Sequence, residues 1–227
     1  TLRLLAEHGV AAFRTPEACA DGIAAYLRWE PPAVAPSIDE QALIHARAVL
    51  DAAPGEVLDE RRSSALFEAL GVSPAASVTL DLDGALHSPL PFAFPVAAKV
   101  LSADIAHKTE VGGVALGIGS TEELAERARD LVATVRQRRP DARLEGILVQ
   151  PMTDGVAEVL VGYRRDPQVG PVVTVGMGGT LAEIYRDFAV RLAPVSPVEA
   201  MEMIAEVRGL AVLQEFRGKP PGDAAAL

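Results

Sequence analysis

The sequence has little cysteine, few aromatic residues and no long apolar run. Cys19 is the single cysteine among 227 residues, which excludes an internal disulfide and a metal site built from several cysteines. We expect Cys19 to be a small packed side chain of a helix and not a nucleophile. No apolar stretch approaches the ~18 residues of a membrane-spanning helix, and the first residues lack a signal-peptide pattern. These features predict a cytoplasmic protein with no membrane partner.

Basic residues are also scarce. The chain has 21 Lys and Arg against 31 Asp and Glu, which gives a formal net charge of -10 at pH 7. A general nucleic-acid-binding protein needs a basic surface to replace condensed counterions, so we expect no nucleic-acid partner. A local basic pocket for a phosphate ligand is compatible with this charge. Hydrophobic residues make up 49% of the chain, which is typical of a globular protein with a real core.

Proline and glycine divide the chain into three parts. Residues 1–29 are predicted to form a helix, a short extended piece at AAFR and a second helix, with Thr15 as N-cap and Pro16 at the first helical position. That second helix spaces Cys19, Ile23, Tyr26 and Leu27 on one face. Residues 30–56 are a proline-rich linker and a leading helix over 39–52. From residue 57 the pattern predicts an α+β fold, largely of antiparallel strands with helices covering one face.

Apolar periodicity predicts the individual elements of this last part. A helix after residue 57 has Leu58, Leu66, Phe67 and Leu70 as candidates for its buried face. Strands at 95–101 and 113–118 lead to a long helix that begins at Ser120-Thr121 and buries Leu124, Ala128, Leu131 and Val135. Further strands are expected in GILVQPM, AEVLVGYRRD and PVVTVGM, the first two of them paired. A last helix is expected from Ser196 to about Val207.

One lysine stands within an apolar strand. A period of two places Val96, Ala98 and Val100 on one face and Lys99 on the other. The Lys99 side chain therefore points either to solvent or into a pocket that holds an anion. The glycine-bearing loop that follows favours the pocket, because backbone N–H groups in such loops bind phosphate oxygens. The P-loop pattern G-x-x-x-x-G-K-[ST] does not occur, so that NTPase class has no support.

A histidine follows in the polar loop SADIAHKTEVGG. Position alone makes His107 a surface residue. As chemistry, an imidazole beside a nucleotide site can accept a phosphoryl group on nitrogen. Lys108 could then offset the phosphoryl charge. Glu110 could orient the ring, although a solvated acid explains it equally well.

Three further segments are candidates for ligand contacts. Gln150, Pro151 and Met152 end an apolar strand, where backbone groups and the soft Met152 side chain can face a flat ligand. Glu158 either faces solvent or accepts a hydrogen bond from a ribose hydroxyl. The glycines of GMGGTLAEIYRD, with Glu183 and Asp187, form a second candidate phosphate or metal wall, for which helix caps or solvated acids are the alternative.

Several of these stretches occur together and in order in a known family. FPVAAKVLSADIAHKTEVGGVALGI, the segment from ILVQPM to RLAP, and FRGKPPGD resemble the ATP-grasp half of the ADP-forming (NDP-forming) acyl-CoA synthetases, relatives of succinyl-CoA synthetase. The resemblance covers roughly residues 57–227, incomplete at the C-terminus. Residues 1–29 resemble the end of the preceding CoA-ligase domain, which has a flavodoxin-like fold. It implies a two-lobed ATP-grasp fold that interconverts acyl-CoA, ADP and phosphate with acid, CoA and ATP through a phosphohistidine relay.

The resemblance also implies roles for individual residues. Lys99 matches the strand lysine that contacts nucleotide phosphates, with Lys108 beside it. His107 matches the histidine of the motif H-K-[ST]-[DE]-x-G-G, which relays a phosphoryl group. The remaining matches are the glycine loop over the phosphates (Gly112, Gly113), the hinge that contacts adenine (Gln150, Pro151, Met152) and the ribose-side acid (Glu158).

The implied cofactors and partners are ATP or ADP, Mg²⁺ and, in the full-length enzyme, CoA. The metal ligands of the family are expected beyond Leu227, and the main phosphohistidine in the CoA-ligase half, so the fragment alone is expected to be inactive. We expect the full-length enzyme to be a homo-oligomer. The proline-containing HSPLPFAF departs from the helix that normally precedes the lysine strand. Two alternatives are the regulatory region of a GNAT-type protein lysine acetyltransferase and a non-catalytic assembly domain.

Overall fold

A computed structural model of the chain describes residues 2–29, 39–53, 55–179, 184, 186–214 and 221–227. The chain divides into two compact units, Ser37–Gly155 and Thr1–Pro36 together with Val156–Leu227. No helix in the described part is both long enough and apolar enough to cross a membrane. In chain order the elements are α1 (Leu2–Glu7), α2 (Pro16–Leu27), α3 (Glu40–Asp51), α4 (Glu60–Ala69), β1 (Val78–Leu80), β2 (Val96–Leu101), β3 (Val114–Ile118), α5 (Thr121–Arg138), β4 (Gly146–Pro151), β5 (Val159–Asp166), β6 (Gly170–Met177), β7 (Phe188–Leu192), α6 (Pro197–Glu206) and a 3₁₀ helix (Arg208–Leu213).

The unit Ser37–Gly155 is built on a four-stranded antiparallel sheet in the order β1-β4-β2-β3. Helix α5 covers one face of it, as predicted. The helix begins where Ser120 caps it, since the Ser120 hydroxyl accepts a hydrogen bond from the Glu123 N–H at 3.2 Å. Acids in its first turn and arginines in its last turn complement the helix dipole. Its predicted core residues (Leu124, Ala128, Leu131, Val135) are all buried, in one core cluster with residues of the sheet, and the helix contacts β2 and β3.

Helix α4 differs from its prediction. Phe67 and Leu70, which were expected in the core, are 52% and 46% exposed. The helix packs mainly against α3, which buries only Ala46, so the apolar side chains of α4 find little surface to cover them. The residue that is fully buried at this helix is instead the polar N-cap, Asp59.

The second sheet has three antiparallel strands in the order β5-β6-β7. Helix α6 starts with a full capping box between Ser196 and Glu199. Its Met203 and Ile204 pack with Val175 and Ala189 of the sheet. The predicted pairing of β4 with β5 is wrong, because both edges of β4 are already occupied, by β1 and by β2.

Residues 2–29 form two helices, and Thr15 caps α2 as predicted by accepting a hydrogen bond from the Ala18 N–H. The described residues 11–14 form no strand, which corrects the expected extended piece. The expected apolar face is also not buried: Ile23, Tyr26 and Leu27 are exposed and Cys19 is half-buried. Two short helices offer too little surface to cover such a face.

Candidate functional site

Strand β2 presents Lys99 on the face opposite its apolar core residues. Val96, Ala98 and Val100 are fully buried, as the alternation predicts, whereas Lys99 is half-buried. The Lys99 Nζ donates a hydrogen bond to Gln150 Oε1 at 3.1 Å. An amide is neutral, so this bond orients the ammonium group without cancelling its charge. Lys99 therefore keeps a positive charge available for an anionic ligand.

Lys99 and Gln150 line a groove of about 450 Å³. Ala106 and Lys108, the two sequence neighbours of His107, line the same groove. His107 itself is exposed. The structure thus brings the strand lysine and residues of the histidine loop to one groove, although His107 is not among the residues that line it. The opposite wall comes from α4 and the residues before it, including Val57, Ser63 and Phe67.

The histidine loop, residues 102–113, is fixed at both ends by hydrogen bonds. The Val100 N–H donates to Gly113 O at 2.9 Å. At the other end, the Asp104 carboxylate accepts a hydrogen bond from the Arg143 N–H at 2.8 Å. This backbone N–H and the Arg143 guanidinium lower the pKa of Asp104 from its ordinary value of 3.8. The loop is therefore held in a defined conformation on the sheet.

The glycine pair of this loop is required by packing. A Cβ at Gly113 would lie 2.8 Å from Val100 Cγ2, and Gly112 has φ +71° with Thr134 Cγ2 at 3.0 Å from its Cβ position. The Gly112 N–H donates to Thr109 O and the Gly113 N–H to Lys108 O. The two amides thus donate within the loop, and this geometry gives no support to the phosphate-covering role expected of the pair.

The Lys108 side chain is buried, and its ammonium group contacts other groups of the protein. It is 9% exposed, and its Nζ lies 2.7 Å from Glu60 Oε1. The same nitrogen donates to Ile105 O at 3.0 Å. The Lys108 charge is neutralised by Glu60, so this geometry gives no support to its expected role of offsetting phosphoryl charge.

The expected hinge lies at the end of strand β4. Gln150 and Pro151 end the strand, and Met152 is 46% exposed. The Met152 N–H donates to Pro95 O at 3.1 Å, so this amide is already paired, while the Met152 side chain is accessible to a ligand. In sequence, the division between the two compact units comes shortly afterwards, between Gly155 and Val156.

Glu158 lies in the other unit, next to a second glycine pair. Its side chain is exposed, and its backbone oxygen accepts a hydrogen bond from the Gly178 N–H at 2.7 Å. A Cβ at Gly179, where φ is +79°, would lie 2.8 Å from Glu158 Oε2. The turn after β6 therefore closes around this acid and requires glycine to do so.

For Asp187 the helix-cap alternative is correct. Its carboxylate accepts hydrogen bonds from the Gly209 N–H at 2.7 Å and the Arg208 N–H at 3.2 Å, at the start of the 3₁₀ helix. Glu183 and part of FRGKPPGD lie outside the described residues. Within the described ranges, no group of three or more His, Cys, Asp and Glu side chains could hold a metal ion.

A polar cluster at the start of α4 was not predicted from the sequence. Asp59 is buried and caps the helix, accepting a hydrogen bond from the Arg62 N–H at 2.8 Å. Arg62 also pairs with Asp59 and Glu145, and the bond to Glu145 raises the Arg62 pKa. An aspartate before an acidic first turn is an N-cap signal, but the partner in a distant segment has no local signal.

Residues 49–227 match the family model of the ATP-grasp domain. Acetate–CoA ligase (ADP-forming) I of Archaeoglobus fulgidus is 39% identical over 163 residues, which cover 71% of this chain and 24% of that protein. The chain thus spans about a quarter of the length of that relative. The β subunit of acetate–CoA ligase (ADP-forming) I of Pyrococcus furiosus is 34% identical over 185 residues, 80% of each chain.

The chain is also similar to solved structures. One is the dinucleotide forming acetyl-coenzyme A synthetase 1 of Ca. Korarchaeum cryptofilum in complex with coenzyme A, Ca-AMPCP and HgCl⁺, with a TM-score of 0.71, 32% identity and coverage of 82% of this chain and 80% of that one. A second structure of that enzyme, with coenzyme A and Mg-AMPPCP, has its phosphohistidine segment pointing towards the nucleotide binding site (TM-score 0.65, 31% identity, 79% and 78% covered). These relatives are ligases, so the acetyltransferase alternative gains no support.

The comparisons confirm the predicted α+β ATP-grasp fold of antiparallel sheets and helices. The family model covers most of the chain, and the β-subunit relative matches along most of its own length. The chain therefore belongs to the ATP-grasp domain family, as a homologue of the β subunits of ADP-forming acetate–CoA ligases.

Proposed function

We propose that this chain is the nucleotide-binding part of an ADP-forming acyl-CoA synthetase, which interconverts acyl-CoA, ADP and phosphate with a carboxylic acid, CoA and ATP. The observation that carries the proposal is the groove in which Lys99 and the histidine loop come together. The nucleotide analogues named with the solved homologues support it. In this proposal residues 57–227 are the ATP-grasp region, residues 30–56 its connection, and residues 1–29 the last part of a CoA-ligase domain.

Lys99 binds phosphate oxygens of the nucleotide. Its ammonium group lies at the wall of the groove, retains its charge and is oriented by Gln150. In phosphoryl transfer the charge is spread over the oxygens of the moving group, so a fixed cation stabilises the transition state. Lys99 is therefore the main electrostatic contribution of the Ser37–Gly155 unit.

His107 accepts the phosphoryl group. One ring nitrogen attacks the terminal phosphorus of ATP with its lone pair. The N–P bond forms as the bond from phosphorus to the bridging oxygen breaks, and ADP leaves with that electron pair. The reverse step transfers the group from His107 to ADP. An exposed ring on a loop that is fixed at both ends suits a residue that must meet two partners in turn.

The adenosine end of the nucleotide is assigned to the other matched residues. Met152 supplies an accessible apolar side chain for adenine, next to Gln150 and Pro151. Glu158 supplies an accessible carboxylate for a ribose hydroxyl. Gly112 and Gly113 shape the histidine loop, because their amides donate within it.

Other components belong to the complete enzyme. CoA and the acid bind to the CoA-ligase half of the same cytoplasmic protein, which assembles as a homo-oligomer. Mg²⁺ accompanies the nucleotide in a structure of a homologue.

Replacing His107 in the complete enzyme tests the proposal. His107→Ala is expected to lower ATP formation from acetyl-CoA, ADP and phosphate by at least about 10³-fold, because the group that accepts the phosphoryl is lost. The matched control is His87→Ala, since His87 is an exposed histidine that pairs with Asp81 at 2.8 Å and lies in a segment that contributes no residue to the groove. Near-normal turnover of His107→Ala contradicts the relay. Failure of the wild-type chain to bind AMPPCP favours the assembly-domain alternative.

A further inference from the structure

The pair of Lys108 and Glu60 joins the histidine loop to helix α4. Lys108 follows His107 directly, and its Nζ lies 2.7 Å from Glu60 Oε1 in the first turn of α4. The same ammonium group donates to Ile105 O, two residues before His107. The Lys108 backbone oxygen accepts a hydrogen bond from the Gly113 N–H at 2.7 Å. The buried Lys108 therefore makes contacts on both sides of His107, in the loop that carries the exposed imidazole.

The helix end that supplies Glu60 is itself fixed. The preceding residue, Asp59, is 1% exposed and caps the helix through the Arg62 N–H. Arg62 also forms an ion pair, at 2.8 Å, with Glu145, the residue directly before strand β4. The helix end that carries Glu60 is thus linked, through Arg62 and Glu145, to the sheet that contains Lys99 and Gln150.

Stability does not explain why position 60 carries a charge. Within the described residues, Glu60 Oε2 is buried and has no hydrogen-bond partner. A buried carboxylate oxygen without a donor costs free energy, and an apolar pair of similar volume is often at least as stable as a partly buried ion pair. The Glu60 charge is therefore better explained by its role in placing Lys108 and the histidine loop.

We infer that Glu60 and Lys108 are a positioning pair, which fixes the loop so that the His107 ring meets the terminal phosphate, and that Lys108 does not contact the phosphate itself. This inference rests on the proposed phosphoryl transfer to His107. Displacement of a reacting group by about 1 Å costs on the order of 10²-fold in rate. Loss of either partner therefore lowers kcat and leaves nucleotide binding, which depends on Lys99, nearly unchanged.

The experiment compares four variants of the complete enzyme: Glu60→Gln, Lys108→Met, both together, and the exchange Glu60→Lys with Lys108→Glu. We expect each single variant to lower kcat by about 10- to 100-fold with less than a twofold change in the KM for ADP. The double variant is expected to be no worse than the poorer single variant, and the exchange to recover part of the lost kcat. Glu68→Gln, an exposed acid on the same helix, is the control and keeps full kcat.

A direct phosphate contact predicts a different pattern. In that case Lys108→Met raises the KM for ADP, whereas Glu60→Gln leaves or lowers it, since the lysine charge is set free. That result overturns the inference. So does an unchanged kcat in Glu60→Gln, an isosteric change that preserves packing.

Hydrogen exchange of residues 105–111 separates this inference from the proposed function. We expect faster exchange of these amides in Glu60→Gln and Lys108→Met, and no change in His107→Ala. If His107→Ala keeps full turnover, the proposed function fails, even where the exchange data show that the pair fixes the loop. If His107→Ala is inactive while Glu60→Gln keeps wild-type exchange and kcat, the positioning inference alone fails.

Discussion

Two glycine pairs, one in each compact unit, are the same dipeptide in sequence but meet different surroundings. A Cβ at Gly113 would meet Val100 and Val135, and a Cβ at Gly112 would meet Thr134 and Arg138. At Gly178 and Gly179 the nearest atoms to an added Cβ all belong to Glu158. The first pair fits a loop onto a core, and the second fits a turn around an exposed carboxylate.

This difference shows that a glycine pair does not by itself indicate a phosphate site. The amides of the first pair donate to Thr109 and Lys108, so the glycines serve the shape of the loop. Substitutions in the first pair are therefore expected to lower the free energy of unfolding. Substitutions in the second pair are expected to act mainly on the acid that the turn encloses.

The largest effect on stability is expected for Gly113→Ala. The added methyl group would lie 2.8 Å from Val100 Cγ2 and 3.1 Å from Lys108 O, and overpacking of this kind costs about 1–3 kcal/mol. Urea unfolding of the chain measures it. Gly55→Ala is the matched control, because nothing lies within 4 Å of its Cβ position. Equal unfolding midpoints for the two variants would show that packing does not require this glycine.

Gly112→Ala is expected to cost less, about 1–2 kcal/mol, mainly because φ is +71°. Gly117 provides the control, since it has φ +70° in the same unit and no atom within 4 Å. Gly112→Ala is expected to exceed Gly117→Ala by the cost of the contact with Thr134 Cγ2 at 3.0 Å. Thermal unfolding of both variants measures the difference, and a larger loss in Gly117→Ala contradicts this account.

Gly179→Ala is expected to act on ligand binding. The methyl group displaces the Glu158 carboxylate, so we expect the Kd for AMPPCP to rise about tenfold, which corresponds to one hydrogen bond to a charged group. Calorimetric titration measures it. Gly170→Ala, with φ +90° and nothing within 4 Å in the same unit, controls for backbone strain. The same Kd in both variants removes the distinction between the two glycine pairs.

The smallest expected effect is on the pH dependence of stability, at Asp104 in the loop that contains the first glycine pair. Hydrogen bonds from Arg143 lower the Asp104 pKa below 3.8, so the Asp104 contribution to stability is complete above about pH 5. It is lost as the pH falls through the lower folded-state pKa. Asp104→Asn is expected to flatten this part of the stability curve between pH 5 and about 2, measured by urea unfolding at each pH. An unchanged slope contradicts the assignment.

Local patterns predicted much of the fold. The caps at Thr15 and Ser120, the start of α6 at Ser196 and the buried face of α5 follow from sequence signals within a few residues. The alternation in β2 placed Lys99 on the correct face. The two-lobed fold and the order of the site motifs came from the resemblance to a known family.

What the sequence did not predict depends on distant contacts. The pairing of Lys108 with Glu60 joins segments far apart in the chain, so neither residue alone reveals it. The apolar side chains of α4 were expected in the core because periodicity does not show what covers a helix face. The pairing of β4 with β5 was wrong because β1, a strand distant in sequence, occupies the edge of β4.

The most direct test of the central claim is a calorimetric titration of the chain with Mg-AMPPCP, comparing wild type, Lys99→Met and the control Arg136→Met. Arg136 is an exposed cation on α5, outside the groove. We expect saturable binding in the wild type and the control, and a Kd at least about tenfold higher in Lys99→Met, which loses the cation that binds phosphate. An unchanged Kd in Lys99→Met would contradict the assignment of this groove to the nucleotide phosphates.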